Sequence, residues 1–304
     1  MPPYEYTGPV DCSLVPDKTQ LQGKSVIVTG GAQGLGEAYV RDFVKAGAFV
    51  TFCDINEEKG KALEAGIGAN VAFVKCDTRS WEDQIQVFET AYSKSPQKSV
   101  DIVIANAGVG RGAGDPLMQL EDPFKTPTQP SLHIIDINLV GAIYTFKLAT
   151  HYFRRKPKDD ARDRCFIFIG SMAGILDNLG SWEYSVSKFG LRGLMRTVRR
   201  HGYHQGIRVN YVAPSWIRTT IQSPAVYESL RTKGAEFATV ESCIASIMRI
   251  SCDKTINGHS FVIVPTSTSP DGFKDAESDD WTDENHWLQK LQRTCVAVRG
   301  DAWD

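Results

Sequence analysis

Seven short apolar runs, separated by longer amphipathic stretches, constrain this chain more than any other feature. The runs are Ser25–Thr29, Phe49–Cys53, Val71–Lys75, Val100–Ala105, Cys165–Ile169, Ile207–Val212 and Ser260–Val264. They are rich in β-branched and aromatic residues and are bounded by Gly, Asp, Asn or Pro. None alternates cleanly between apolar and polar, which is how strands covered on both faces read. Between them, Gly36–Ala46, Trp81–Tyr92, Ile134–Phe153, Tyr184–His201 and Val240–Ser251 carry the spacing of helices. Strand–helix alternation on this scale needs crossover connections, and these build parallel sheets. The predicted fold is therefore α/β: a doubly wound, Rossmann-like, seven-stranded parallel sheet with helices on both faces. It forms a single domain over residues 24–265, plus a C-terminal extension.

Three segments fall outside that rhythm. Residues 1–23 form a proline-containing N-terminal arm, residues 109–131 a long loop, and residues 266–304 an acidic, Trp-bearing extension. The extension holds nine acidic against four basic residues and three of the six tryptophans, Trp281, Trp287 and Trp303. A disordered tail would be poor in aromatics, so a short helix over Glu284–Thr294 is predicted, docked on the body or on a partner subunit. Across the whole chain 34 Lys and Arg nearly balance 36 Asp and Glu, which argues against nucleic acid as a partner. No run of about 18 apolar residues predicts a membrane span. The N-terminal residues lack the apolar stretch of a secretory signal. Seven scattered cysteines without a Cys-x-x-Cys pair fit a reducing, cytoplasmic setting. No metal is expected either. His201 and His204 have no third ligand at suitable spacing and read as a solvated helix end.

The first strand runs into Thr29-Gly30-Gly31-Ala32-Gln33-Gly34-Leu35-Gly36 and then a helix. Glycines there permit a tight turn and close approach of the backbone to a pyrophosphate, and the helix N-terminus supplies free N–H groups. Gly30, Gln33, Gly34, Leu35 and Gly36 are thus candidate cofactor contacts. Asp54 ends the second strand, with Ile55 next. A carboxylate at that place accepts hydrogen bonds from ribose hydroxyls and repels a 2′-phosphate. Ile55, Asn56, Glu57 and Glu58 include no cation, so NAD is favoured over NADP. Taken alone, Asp54 also reads as a helix cap.

Tyr184 and Lys188 stand at i and i+4 on one helix face. A nearby cation favours phenolate, which makes Tyr184 a candidate proton donor and acceptor. Spacing alone is weak, because Tyr152–Lys156 repeats it. Context separates the two pairs. Thirteen residues before Tyr184 is Ser171, at the C-terminal end of an apolar strand and so at the ligand edge of a parallel sheet. Thirteen before Tyr152 is Leu139, which has no hydroxyl. Tyr152 therefore reads as helix packing.

Together these motifs resemble the short-chain dehydrogenase/reductase family over about residues 20–265. The match comprises the glycine turn at Thr29–Gly36, Asn106-Ala107-Gly108, Asn138, Ser171 and Tyr184-x-x-x-Lys188. The resemblance implies hydride transfer between a nicotinamide and a carbonyl or secondary alcohol, with Asn138, Ser171, Tyr184 and Lys188 as the catalytic tetrad. It implies cofactor contacts at Asn106, Ala107 and Gly108, at Asp77 and Thr78 near the adenine, and at Pro214, Ile217 and Thr219 near the carboxamide. The family commonly has Pro-Gly where this chain reads Pro214-Ser215-Trp216. The long loop and the acidic tail are similar in style to fungal secondary-metabolite dehydrogenases. The family habit also implies a homodimer or homotetramer.

Tyr184 as phenolate would take the alcohol proton, Ser171 would hold the substrate oxygen, and Asn138 would position a water for proton relay from Lys188. Trp182, Trp216 and Tyr227 either line a pocket for a bulky apolar alcohol or ketone or simply pack. Gly110-Arg111-Gly112 either borders the entrance or is plain loop. The alternative function is a non-redox, cyclase-like or binding protein on the same fold.

Overall fold

The computed structural model describes residues 4–110, 121–155, 163–177, 182–201, 206–283 and 285–299. Arg111 and Gly112 of the expected entrance, together with Lys156, His204 and Glu284, lie outside these residues. β1 (Ser25–Thr29), β2 (Phe49–Asp54), β3 (Val71–Lys75) and β4 (Ile102–Ala105) alternate with α1 (Gly34–Lys45), α2 (Glu57–Ile67) and α3 (Trp81–Lys94). α4 (His133–Ile135) passes through a π-helical turn, Asp136–Val140, into α5 (Gly141–Phe153). β5 (Arg164–Ile169), α6 (Trp182–Val198), β6 (Ile207–Pro214), α7 (Pro224–Thr232), α8 (Val240–Cys252) and β7 (Ser260–Ile263) complete the body.

Strand order is β3-β2-β1-β4-β5-β6-β7, all parallel, with one further antiparallel strand on the outer edge of β7. The order reverses between β1 and β4, so a crevice opens there beyond the carboxyl ends of the strands. Successive side chains feed opposite layers. Val26 and Val28 pack with Tyr39, Phe43 and Met248 on one face, and Ile27 with Phe88, Phe153 and Phe168 on the other. Both faces of β1 are buried, which explains its unbroken apolar sequence. Tyr152 is core, packed on Phe88 with ring centroids 5.3 Å apart, as its sequence context suggested.

The extension corrects the expected strand count. Phe273–Asp275 is an eighth strand, β8, antiparallel to β7. Its neighbours then dock the tail. Arg199, fully buried just after α6, donates to both carboxylate oxygens of Asp280, to the Asp279 carbonyl and to the Tyr4 hydroxyl. Arg192 donates to Asp279 at 2.8 Å, and the Tyr4 ring lies 4.1 Å under the Arg199 guanidinium. Arm and tail are thus joined on the helix that carries Tyr184 and Lys188. A tail helix is present as α9 (Trp287–Arg299), with Trp287, Leu291 and Val298 exposed. Among the described residues no helix is long and apolar enough to cross a membrane, and no cluster of His, Cys, Asp or Glu could hold a metal.

Candidate active site

At the switch point, the end of β4 is stitched to the glycine turn. The Thr29 hydroxyl accepts from the N–H groups of Asn106 and Ala107, each at 3.0 Å. The Asn106 amide donates to the carbonyls of Thr29 and Gly30, both at 2.9 Å. Asn106 thereby commits both amide hydrogens to building the cleft. Gly30 has φ +64, and a Cβ on it would lie 2.7 Å from the Ala107 Cα; one on Gly36 would lie 2.0 Å from the Gly30 carbonyl. Only glycine permits these approaches. α1 then begins at Gly34 with no side chain capping it, so its first N–H groups are free for an anion. Thr219 and Thr220 close over Gly34, with side-chain atoms 3.8 Å from where its Cβ would be. The residues fit a dinucleotide.

At the ribose end, Asp54 is buried. It accepts from the N–H groups of Ala32 at 3.1 Å and Asn56 at 2.9 Å. A carboxylate has about four acceptor positions, so two remain for ribose hydroxyls. Ile55 is exposed beside it. The sequence reading missed Lys59, whose ammonium donates to Gln33 of the glycine turn at 2.7 Å. It stands outside the stretch searched for cations, and the first turn of α2 brings it back. Asp77 is held by Arg79 through both carboxylate oxygens, and that hydrogen bonding keeps its carboxyl below the usual range. Thr78 is buried, its carbonyl accepting from Gln84.

The tetrad residues come together where β5, α6 and the π-turn meet. Ser171 follows β5, and its hydroxyl caps a short 3-10 turn, Met172–Gly174, by accepting from Ala173 N–H. Lys188 donates from Nζ to the Ile169 carbonyl at 3.0 Å and lies 5.4 Å from the Tyr184 ring centroid. Asn138 sits in the π-turn, a helix defect that re-aims side chains. It accepts from Val109 N–H at 2.8 Å and donates to the Val109 carbonyl and to Ser187. Ser187 in turn donates to the Tyr184 carbonyl. A Cβ on Gly108 would lie 3.2 Å from Asn138 Oδ1 and 3.6 Å from Lys188 Nζ. Asn138 therefore fixes the loop after β4 against α6.

The electrostatics differ from the sequence expectation at Tyr184. Burial raises its phenol, and only the Ser171 hydroxyl pulls it back down. Burial also pushes the Lys188 ammonium down, to about 8.

On the substrate side, Trp216 is exposed after β6, and the Trp182 indole N–H is buried with no partner among the described residues. Tyr227 is different. It is buried against Phe237, and its hydroxyl accepts from Thr219 N–H at 3.1 Å. Its phenol holds the Thr219 segment in place. Ile217 is buried and bridges to Ala238; Pro214 ends β6; Leu35 is half-buried in the first turn of α1.

The depressed Lys188 gives a stability test. Below pH 8 the folded state holds a buried ammonium. From about 8 to 10.5 the unfolded chain binds the extra proton, so stability from this group rises with pH. Relieving that burial contributes about 3 kcal/mol and losing the hydrogen bond to Ile169 costs about 1, so cofactor-free Lys188→Met should be more stable than wild type by about 2 kcal/mol at pH 7. Urea unfolding at pH 7 and pH 10 measures this. The advantage should vanish by pH 10; a variant equally destabilised at both pH values would contradict the assignment.

The comparisons with known proteins agree with this geometry. The family model described as short chain dehydrogenase matches residues 24–228. The chain is 33% identical over 300 residues to the 5'-hydroxyaverantin dehydrogenase of Dothistroma septosporum, covering 91% of this chain and 95% of that protein. It is 30% identical over 288 residues to 5'-hydroxyaverantin dehydrogenase stcG of Emericella nidulans, covering 88% and 92%. It is 32% identical over 274 residues to the NADP-dependent dehydrogenase M3 of a Phoma species, covering 84% and 79%. By the family model, these relatives and the matching fold, the chain belongs to the short-chain dehydrogenase/reductase family and is an oxidoreductase acting on CH–OH groups.

Proposed function

We propose that this chain interconverts a bulky apolar secondary alcohol and its ketone, with NAD as cofactor, in secondary-metabolite biosynthesis. The observation that carries the reading is the cluster of Ser171, Tyr184, Lys188 and Asn138 beside the uncapped N-terminus of α1. Bound there, a nicotinamide would supply the hydride acceptor and, when oxidised, a positive ring. The chain's residues do the rest. Tyr184 takes the alcohol proton as phenolate and returns it in the reverse direction. Ser171 donates its hydroxyl proton to the substrate oxygen, where charge changes during reaction. Lys188 donates to the nicotinamide ribose. Asn138 keeps the Val109 loop and Ser187 in register. Two relatives named for a hydroxylated substrate support an alcohol here, and Trp182 and Trp216 offer an apolar flank. The clustered Tyr184 and Lys188 favour this reading over a non-redox binding role.

Asp54 favours NAD, because a buried carboxylate at the end of β2 repels a 2′-phosphate. Lys59 acts in the opposite sense, and a relative is named NADP-dependent. Titration with NADH and NADPH, followed by nicotinamide fluorescence, decides between them. NADH should bind at least about tenfold tighter, or 1.4 kcal/mol. Lys59→Glu should widen that ratio by about threefold, the scale of one exposed charge. Equal or tighter NADPH binding would overturn the assignment of Asp54.

Ile143 on α5 and Val186 and Phe189 on α6 are exposed apolar residues. They support pairing of these helices in a homodimer or homotetramer. A monomeric mass in sedimentation equilibrium would contradict this. Seven unpaired cysteines support a cytoplasmic setting; a tagged chain found inside a membrane-bounded compartment would argue against it.

A further inference from the structure

β6 carries Tyr211 to the back of this cluster. Its side chain is fully buried, in the layer that includes Phe168, Leu191 and Met195. Its hydroxyl accepts from Ser171 N–H at 3.2 Å. The same oxygen lies 3.2 Å from the Ser171 carbonyl and 3.2 Å from the Lys188 carbonyl, either of which can take its proton. One phenol oxygen thus holds the backbone at two residues on separate elements, the end of β5 and the middle of α6.

Two glycines make room for it. A Cβ on Gly170 would lie 1.8 Å from the Tyr211 Cζ, and one on Gly174 would lie 2.2 Å from the Tyr211 hydroxyl. A Cβ on Gly174 would also lie 2.7 Å from the Lys188 carbonyl, so this glycine lets the turn after Ser171 press against α6. A buried hydroxyl is unfavourable unless hydrogen-bonded, and a phenylalanine would fill the same core space. The oxygen therefore needs its own explanation. Burial also holds the phenol well above its usual range, so it stays a donor throughout working pH.

We propose that Tyr211 is a positioning residue that sets the spacing between Ser171 and the Tyr184–Lys188 face of α6. The proposal rests on the roles given above to those three residues. Ser171 and Tyr184 belong to different elements, and a productive arrangement holds such groups to within about 0.5 Å. Tyr211 supplies that tolerance through the backbone, without reaching substrate or cofactor itself.

The test is Tyr211→Phe in the full-length enzyme, assayed for oxidation of a secondary alcohol that the wild type turns over with NAD. The expected kcat is about tenfold lower or less, since small misplacements of catalytic groups are costly, with KM for NAD within about twofold. The acid limb of the kcat–pH profile should move to higher pH, because the Ser171 hydroxyl is the group that lowers the Tyr184 phenol. Lys188, which faces Tyr184, and Arg192 and Asp279, which act on Tyr211, all remain in place. NADH binding and Tm report folding. Should the Phe variant not fold, Tyr211→Met fills the space with a flexible chain and is expected to show the same two changes. Wild-type kcat and an unmoved pH profile in a folded variant would overturn the proposal, even with a lowered Tm. Tyr184→Phe is run beside it. An inactive Tyr184→Phe with a normal Tyr211→Phe removes only the positioning role; an active Tyr184→Phe removes the tetrad reading and this proposal with it.

Discussion

The site depends on how closely β1 and β4 approach at the point where strand order reverses. Thr29 offers one hydroxyl to two successive backbone N–H groups across that gap, and Asn106 returns two hydrogen bonds. Gly30 and Gly36 remove the side chains that would hold the segments apart. This seam leaves the N-terminus of α1 uncapped and facing the crevice. It also sends the chain through Gly108 and Val109 toward Asn138 and Lys188. Cofactor cleft and proton-transfer cluster are therefore two ends of one backbone arrangement. A change at the seam should disturb both.

Most of this was legible because buried parallel strands leave no polar face to break their apolar runs. All seven predicted strands are present, and Ser171, Tyr184, Lys188 and Asn138 converge. What was hidden depended on tertiary contact. β8 is three residues long and contains Lys274 and Asp275, so it shows no strand pattern. Lys59 reaches the glycine turn only because α2 folds back toward it. Tyr227 read as either pocket lining or packing, because an aromatic after β6 gives no hint that its hydroxyl will hold Thr219. Tyr211 lies inside a predicted strand, and nothing local shows that its hydroxyl partners come from residues 171 and 188. The docking of the tail was expected from its tryptophans and came instead from Asp279 and Asp280. Buried Arg199 needs a carboxylate, and the acidic tail provides one.

Charge is handled differently at the two ends of α6. At its C-terminal end, arginines are matched by the tail's carboxylates. Toward its N-terminal half, Lys188 is buried with a carbonyl as its hydrogen-bond acceptor, and Tyr184 is buried beside it. The first arrangement fixes the helix on the body. The second leaves an ammonium and a phenol both displaced from their solution behaviour, as expected where protons are to move. Neither group reaches its working state through the other alone. In the proposed reaction, the Ser171 hydroxyl and the charge of an oxidised nicotinamide, when bound, would complete the balance.

The most direct test of the account is Tyr184→Phe, assayed for turnover of a bulky secondary alcohol with NAD and, separately, for NADH binding. Removing the phenolic oxygen should lower kcat by at least about a hundredfold, the scale of lost general acid–base catalysis, while NADH affinity stays within about threefold. Undiminished turnover in a variant that still binds NADH would contradict the central claim that Tyr184 carries the proton.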